Sequence, residues 1–340
     1  MLRFVVALSV LALAPANALA QQPLGVVETT LGRFDRDTLR PVGPTISVRE
    51  PHTGPALSPR GGRFALGVSS PGSPGLPGVG RVGLWIVDPA SMTITHEVRT
   101  GIAAEAVVYP GVVAALLQDG GLLVVDPDTG RIRSRRHVGY SGCAPPAIHA
   151  ARRGIIVNQL GPGGAEVAVV EPAGQVRTLR IPIDTSAVGC RRVSLVAGGD
   201  RAYLVGRDRV VALDPRARRT RVHRFGDLGR ERSAAAVPGG LAVASERGLR
   251  LIDTAMWKVR WRDATARSVL ASGATVVATG SDVRALDART GRVRWRAPGH
   301  AAAVAAGRVY AQPSVLDLRT GARRGTHPTV TTAIRLISAR

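Results

Sequence analysis

An acidic residue that ends an apolar run and opens a short turn recurs eight times along this 340-residue chain. The fullest copies have the form Asp-x-x-Thr-Gly and begin at Asp126, Asp287 and Asp317. Weaker copies stand at Asp35, Asp88, Glu171, Asp214 and Asp253. The steps between successive copies are 53, 38, 45, 43, 39, 34 and 30 residues, which is the length of one supersecondary unit in a repeat protein. The spacing therefore predicts an array of similar units along the chain.

Each unit has the pattern of four short strands, most clearly between Gly101 and Gly139. The predicted strands cover residues 104–109, 112–117, 122–125 and 131–138. The second and third are continuously apolar, which is typical of a sheet buried on both faces. The fourth interleaves arginines with other residues, as expected of an exposed edge strand that must not pair with other molecules.

These features predict an all-β fold, a β-propeller of four-stranded antiparallel blades. The repeats run through residues 21–340, which we expect to form one domain. The first unit, Val26 to Val48, is short of strands, and Thr331 to Ile337 is a strand left over at the end. Pairing the N- and C-terminal strands would complete one blade and give eight, whereas seven result if the terminal segments combine differently.

The turn after each third strand needs no ligand to explain it. Asp126 can accept backbone hydrogen bonds across the turn, Pro127 sets φ at the second position, and Gly130 supplies a residue with positive φ. We therefore predict a structural role for the turn aspartates.

Residues 1–20 have the pattern of a secretory signal peptide. Arg3 supplies the positive charge, Phe4 to Ala14 the apolar segment, and Ala18-Leu19-Ala20 the small residues of a cleavage site before Gln21. No later segment is long and apolar enough to predict a transmembrane helix. We expect a secreted protein, extracellular or periplasmic.

The formal charge of +22 raises the question of a nucleic acid or another polyanion as partner. Lys258 is the only lysine among 46 basic residues, and the arginines are spread over all units, as a solvated basic surface would have them. Aromatic residues make up 4% of the chain, which leaves little to stack on bases, so nucleic acid is an unlikely partner.

The segment Leu286 to Trp295, Leu-Asp-Ala-Arg-Thr-Gly-Arg-Val-Arg-Trp, resembles the PQQ-like repeat of quinoprotein-type propellers. In that repeat, an Asp-x-x-Thr-Gly turn leads into a strand bearing a Trp that docks between blades. Asp253 and Trp261 have the same eight-residue offset as Asp287 and Trp295. The resemblance implies a propeller in which Trp261 and Trp295 pack between neighbouring blades.

The dehydrogenases of that family imply a quinone, an adjacent cysteine pair, and a calcium held by carboxylate and amide ligands. Here Cys143 and Cys190 stand 47 residues apart, and no acidic cluster occurs where the repeats begin. We therefore expect the non-catalytic branch, with no catalytic residue, cofactor or metal. In an oxidising compartment the two cysteines could form a disulfide, because they occupy similar places in neighbouring units. Two free thiols are the alternative.

The long connections between units are expected on one face, where propellers commonly bind partners. The longest loop, Ser69 to Gly80, joins the second and third strands of its own unit and is expected on the same face. The leading hypothesis is an exported, non-catalytic platform for a protein or an anionic polymer of the cell envelope, and the alternative is a quinone- or metal-dependent oxidoreductase or a lyase. The predicted binding rim contains His137, Tyr140, Arg191, Arg192, Arg230 and Arg232.

Overall fold

The structure is a computed structural model. It describes residues 22–27, 30–48, 56–57, 64–70, 81–100, 104–109, 111–117, 120–137, 147–151, 154–161, 164–171, 173–181, 194–198, 201–214, 219–229, 231–327 and 334–338. The expected signal peptide and both cysteines lie outside these residues. Within them all regular structure is β-strand, and no helix occurs.

The described strands form eight four-stranded antiparallel sheets, numbered here along the chain. Sheet 1 contains strands from both ends of the chain: β1 (Pro23–Val27), β2 (Thr30–Phe34), β3 (Pro41–Ser47) and β32 (Ile334–Ser338). Sheet 2 contains β4 (Ala56–Leu57), β5 (Phe64–Ser70), β6 (Arg81–Asp88) and β7 (Thr93–Arg99). Sheet 3 contains β8 (Ala104–Tyr109), β9 (Val112–Leu117), β10 (Gly121–Val125) and β11 (Ile132–His137). Sheet 4 contains β12 (Ala147–Ala151), β13 (Gly154–Gly161), β14 (Gly164–Val170) and β15 (Val176–Ile181).

The remaining sheets follow the same order. Sheet 5 contains β16 (Ser194–Gly198), β17 (Arg201–Val205), β18 (Arg209–Asp214) and β19 (Arg219–Arg224). Sheet 6 contains β20 (Glu231–Val237), β21 (Gly240–Ser245), β22 (Gly248–Asp253) and β23 (Lys258–Asp263). Sheet 7 contains β24 (Ser268–Ser272), β25 (Thr275–Thr279), β26 (Val283–Asp287) and β27 (Val293–Ala297). Sheet 8 contains β28 (His300–Ala305), β29 (Arg308–Gln312), β30 (Ser314–Asp317) and β31 (Arg323–Thr326).

The sheets stand around a common centre. One edge strand of each sheet contacts the corresponding strand of the next sheet, as β16 contacts β20, β20 contacts β24, and β28 contacts β32. The opposite edge strand is therefore the outermost: β3 in sheet 1, and the fourth strand in each of the other sheets. Apolar clusters join neighbouring sheets, and the all-β prediction of a propeller is confirmed.

The two ends of the chain meet in sheet 1. Strand β1 pairs antiparallel with β32, with Leu24 opposite Ile337. Sheet 8 also packs on sheet 1: Arg308 Nε donates to Asp37 Oδ1 at 2.5 Å, and Tyr310 Oη donates to the carbonyl of Arg36 at 3.1 Å. These residues are more than 270 positions apart in the sequence, so the contacts tie the last sheet to the first.

The middle strands carry the core. Every residue of β9 and β10 is buried, whereas five of the six residues of β11 are exposed. One face of β9 and β10 packs towards sheet 2 and the other towards sheet 4. The continuous apolar runs of the sequence are thus explained by burial on both sides.

The repeated turns are held by their aspartates, as predicted. Asp287 Oδ1 accepts hydrogen bonds from the backbone N–H groups of Arg289 and Thr290, each at 3.0 Å. Gly291 follows with φ +72°. Arg294 Nη2 donates to Asp287 Oδ2 at 2.5 Å, and this bond is the main cause that lowers the pKa of Asp287 to about 2.

A β-bulge places that arginine. In sheet 7, Val293 lies opposite Leu286 and Trp295 opposite Ala285, so Arg294 has no partner in the register. An extra residue of this kind leaves the ladder and turns its side chain elsewhere. The same unpaired position is occupied by Arg133, Arg260 and Arg324, and each lies within 4 Å of its own turn aspartate.

The bulge also fixes which side chain reaches the next sheet. Trp295 Nε1 donates to the carbonyl of Leu318 in sheet 8 at 2.9 Å, and Trp261 Nε1 donates to that of Ala288 in sheet 7 at 3.0 Å. The predicted docking role of both tryptophans is confirmed. His96 fills the same position in sheet 2, where its Nε2 lies 2.8 Å from the carbonyl oxygen of Asp128 in sheet 3.

The junction of sheets 5 and 6 is built differently. Trp257 occupies the turn position that is glycine in the fullest repeats, with φ 57°. Its indole stacks on His223 of β19, with centroids 3.5 Å apart and an angle of 2° between the planes. Here the aromatic group comes from the turn instead of the outermost strand.

Candidate functional site

The connections divide between two faces. We call the face with the Asp-x-x-Thr-Gly turns the turn face, and the face with the connections between second and third strands and between successive sheets the link face. The sequence predicts the binding rim on the link face.

The described residues bring none of the six predicted rim residues into contact with another. His137 is exposed and ends β11 at the link face. Arg232 lies in β20, and its side chain is outside the described part of the structure. Tyr140, Arg191, Arg192 and Arg230 lie outside the described residues, as does most of the connection from Ser69 to Gly80.

The described part of the link face carries a cluster of charged side chains at sheets 5 and 6, the link-face cluster: Arg207, Asp227, Arg247 and Arg250. Arg207 Nε and Nη2 donate to the two carboxylate oxygens of Asp227, each at 3.2 Å. Arg247 Nη2 reaches Asp227 Oδ2 at 2.9 Å from the other side. Two arginines from the second-to-third strand connections of neighbouring sheets thus converge on one carboxylate in the link between those sheets.

Asp227 is fixed by the local backbone. Its Oδ1 accepts the N–H of Gly229 at 2.9 Å, and its carbonyl accepts Arg250 Nη1 at 2.9 Å. The hydrogen bond from Arg207 is the main cause that lowers the pKa of Asp227 to about 2. Asp227 is therefore ionised at neutral pH and holds the guanidinium groups in place.

The link between sheets 6 and 7 has a similar arrangement, in which the arginine side chain is more deeply buried. Asp263 accepts the N–H of Thr265 at 3.0 Å and pairs with Arg284 Nη1 at 2.8 Å. Arg284 also pairs with Asp282 at 2.9 Å, and its side chain is 6% exposed. This arginine is held inside the protein, whereas the side chains of Arg207 and Arg247 are each 54% exposed.

The exposure of Arg207 and Arg247 determines what the cluster can do. An ion pair at the surface contributes little to stability, typically below about 1 kcal/mol. An arginine can therefore turn from Asp227 to an incoming carboxylate or phosphate at low cost, and its planar fork suits such groups. The arrangement is chemically fit for recognition of an anionic group.

Among the described residues, no group of three or more His, Cys, Asp or Glu side chains is placed to hold a metal ion. In the same part of the chain, no helix is long and apolar enough to cross a membrane.

No protein-family model matches the sequence, and no curated protein matches it. Solved structures do match. The chain is similar to dihydro-heme d1 dehydrogenase NirN in complex with DHE, with a TM-score of 0.63, 13% identity, and 89% of this chain and 72% of that chain covered. It is similar to BamB from Moraxella catarrhalis, with a TM-score of 0.59, 11% identity and coverages of 87% and 93%. It is also similar to apo AztD from Citrobacter koseri, with a TM-score of 0.51, 15% identity and coverages of 82% and 94%. At these identities the likeness shows the fold, a β-propeller.

Sequence reasoning missed Arg207 and Arg247. It predicted the connection from Asp227 to Arg232 as part of the rim, but it had no means of bringing Arg207 and Arg247 to Asp227. Both arginines follow the second strand of their sheets by two residues, as Val205 and Ser245 end β17 and β21. This shared position in neighbouring units is the sequence signal that could have pointed to the two arginines.

Proposed function

We propose that this chain is an exported, non-catalytic β-propeller that acts as a platform for a protein or an anionic polymer of the cell envelope or the extracellular space. The observation that carries the proposal is the convergence of half-exposed Arg207 and Arg247 on Asp227. Arginines at such a site are among the side chains that contribute most to binding. The predicted rim residues Arg230 and Arg232 follow Asp227 closely in the sequence, and we expect them to extend the same surface.

Crosslinking in the native envelope tests the platform. The tagged protein and its Arg207→Ala/Arg247→Ala variant are compared for the partner each captures. We expect the variant to lose about thirtyfold in affinity for that partner, since the two arginines contribute about 1 kcal/mol each. The control is Arg40→Ala/Arg289→Ala, two exposed arginines of the turn face. Equal capture by all three proteins would contradict the proposal.

An alanine scan of the rest of the rim extends this test. The scan replaces, one at a time, Tyr140, Arg191, Arg192, Arg230 and Arg232. It also includes His137, which the structure shows exposed at the end of β11. We expect Arg230 and Arg232, the rim residues nearest to Asp227 in the sequence, to matter most. If no substitution changes binding, the rim is not the binding surface.

Export and domain organisation are part of the proposal. We expect N-terminal sequencing of the released protein to begin at Gln21, and limited proteolysis to leave residues 21–340 as one resistant domain. A mature protein that keeps residues 1–20 would contradict export by this signal.

For the cysteines, we propose a disulfide and expect that digestion without reduction gives a peptide in which Cys143 is joined to Cys190. Alkylation of both thiols without prior reduction would contradict the disulfide.

We infer also that the eight sheets are eight blades of one closed circle. The inference is supported by the four-stranded order of every sheet and by the sheet that joins β1 to β32. Electron-microscopy averages viewed down the central axis should count eight blades, and a count of seven would overturn the inference.

A further inference from the structure

The outermost strands of the sheets differ sharply in charge around the molecule. Strands β11, β15, β19, β23, β27 and β31 together contain fifteen Arg and Lys residues, two or three in each, and one acidic residue, Asp263. The two remaining outermost strands, β3 and β7, contain one arginine and one glutamate. We call the six basic strands the outer belt.

Protection of sheet edges does not explain this distribution. An edge strand is kept from pairing with other chains by charges of either sign or by proline. Strand β3 has Pro41 and Pro44 and no charged residue at all. Charges of one sign concentrated on six neighbouring edges therefore exceed what edge protection needs.

Ion pairs with the turn aspartates account for only some of the arginines of the outer belt. Arg133, Arg260, Arg294 and Arg324 pair with the aspartates of their own turns. Other arginines are opposed by arginine instead: Arg224 lies directly across from Arg209, Arg262 from Arg250, and Arg296 from Arg284.

Like charges directly opposite on neighbouring strands destabilise a sheet. The inner member of each pair has a partner that offsets this: Arg209 pairs with Asp208, Arg250 donates to the carbonyl of Asp227, and Arg284 pairs with Asp263. The pKa of Arg250 is lowered mainly by burial and further by the charges of Arg262 and Arg247. Like-charge repulsion is thus present in this part of the fold.

The outer members are less compensated within the described residues, although the charge of Arg224, after the hydrogen bond from Arg209, helps to lower the pKa of Asp208. Arg224, Arg262 and Arg296 are all exposed, and none forms an ion pair or side-chain hydrogen bond there. They belong to three successive sheets, so they form a row along the outside of the molecule. An arrangement that raises the energy of the free protein and leaves three guanidinium groups open to solvent is suited to an external anion.

The shape and chemistry of the belt select the kind of anion. The belt follows a convex surface, so a flat membrane can touch only a small part of it, whereas a flexible chain can follow it. The only Phe, Trp or Tyr side chains in these strands are Trp261 and Trp295, which pack on the next sheet. No Phe, Trp or Tyr ring of these strands is left to stack on bases, a contact that contributes to tight binding of single-stranded nucleic acids.

We propose that the outer belt binds a linear acidic polysaccharide, whose carboxylate groups pair with Arg224, Arg262 and Arg296. The planar guanidinium matches a carboxylate with two parallel hydrogen bonds. This site lies on different residues from the link-face cluster, and the proposal stands whether or not that cluster binds a partner.

The test uses the full mature chain and a polyuronate oligosaccharide of defined length as the probe. In the variant Arg224→Gln/Arg262→Gln/Arg296→Gln, we expect affinity for polyuronate to fall about tenfold at low salt, from the loss of three exposed ion pairs. The salt dependence of binding should become shallower, because fewer counterions are released. The control, Arg40→Gln/Arg289→Gln/Arg319→Gln, removes the same charge from exposed turn-face positions and should bind almost as the unmodified protein does.

A stability measurement separates binding from structure. Because the three arginines face like charges, the belt variant should unfold at the same temperature as the unmodified protein or above it. A clearly lower Tm would assign the arginines a structural role and overturn the proposal. Binding that is equal in the belt variant and the unmodified protein, or equally weakened in the control, would also overturn it.

Two further probes decide the class of ligand. Single-stranded DNA of the same charge and vesicles of equal parts phosphatidylglycerol and phosphatidylcholine are measured beside polyuronate. The proposal requires polyuronate to bind more tightly than either. Tighter binding of DNA or of vesicles would replace the polysaccharide with that partner. The Arg207→Ala/Arg247→Ala variant should keep its affinity for polyuronate, so failure of the link-face proposal and failure of this one give different results.

Discussion

The junctions on either side of sheet 6 use an aromatic ring in opposite ways. Between sheets 6 and 7, Trp261 comes from the outermost strand and packs over Gly291 of the following turn. Between sheets 5 and 6, the following turn supplies Trp257, and the outermost strand supplies His223. The two junctions therefore fill the same kind of space from opposite sides.

The difference comes from a shift of one residue in the pairing of the outermost strand with its neighbour. Strand β23 has a bulge that turns Trp261 towards sheet 7, whereas β19 pairs with β18 without a bulge. The residue eight positions after Asp214 is consequently Val222, which is 38% exposed, and the residue that meets the next sheet is His223. At these two junctions an aromatic group lies between the edge strand and the turn, and the bulge decides which side provides it.

Removal of an outer-strand indole should have the largest effect. Trp295 is 8% exposed and packs over Gly321, so Trp295→Ala should lower the free energy of unfolding by about 3–5 kcal/mol. Trp295→Phe keeps a ring but loses the hydrogen bond to Leu318, and should cost about 1 kcal/mol beyond its lost contacts. Urea unfolding measures both. A loss below about 1 kcal/mol for the alanine variant would show that this indole does not support the junction.

Substitution of the glycine beneath the indole comes next. A Cβ on Gly321 would lie 2.6 Å from Cγ of Trp295, while a Cβ on Gly307 meets nothing within 4 Å. The two residues have similar φ, +74° and +72°, so both alanine variants carry the same backbone strain. Gly321→Ala should be less stable than Gly307→Ala by about 1–3 kcal/mol, the cost of overpacking. Equal losses in thermal or urea unfolding would mean that the indole moves aside freely.

The reversed junction should respond less. Trp257→Gly removes the stack on His223 but also relieves the positive φ of a bulky residue, so we expect a net loss of about 1–2 kcal/mol. Trp257→Ala removes the stack and keeps the strain, and should be about 1 kcal/mol less stable than Trp257→Gly. The same unfolding assay compares them. If Trp257→Gly is no more stable than Trp257→Ala, the turn is not strained.

The smallest effect is a pH dependence at this junction. Burial, with the charges of Arg221 and Arg201, lowers the pKa of His223 below its usual 6.5. The neutral form is therefore favoured in the folded state, and the contribution to stability is complete above pH 6.5 and is lost as pH falls through the lowered pKa. His223→Phe keeps a ring without the titration. Between pH 8 and pH 5, unfolding should show the unmodified protein losing more stability than this variant, and a parallel loss would refute the expectation.

The sequence predicted the elements that depend on local spacing. The aspartate turns, the buried middle strands, the exposed fourth strand and the docking of Trp261 and Trp295 all follow from short-range patterns. His96 could have been found in the same way, because it stands eight residues after Asp88 as Trp295 stands eight after Asp287.

Features that depend on register or on distant segments were not predictable. The stack of Trp257 on His223 exists because β19 lacks a bulge, and no residue type signals that absence. The contact of Arg308 with Asp37 joins the two ends of the chain. The link-face cluster combines residues from three connections and from strand β22, so the sequence could indicate the face but not the convergence on Asp227.

The pairing of Pro23 with Ser338 has a mechanical consequence. The chain enters β1 and leaves β32 at the same end of their ladder, so a force pulling these two points apart acts on a single hydrogen-bonded rung at a time. The pairing of β1 with β32 therefore breaks one rung after another at low force. In a shear geometry, by contrast, all its hydrogen bonds would carry the force at once. Under tension, the molecule should open first at sheet 1 while the other seven sheets are still intact.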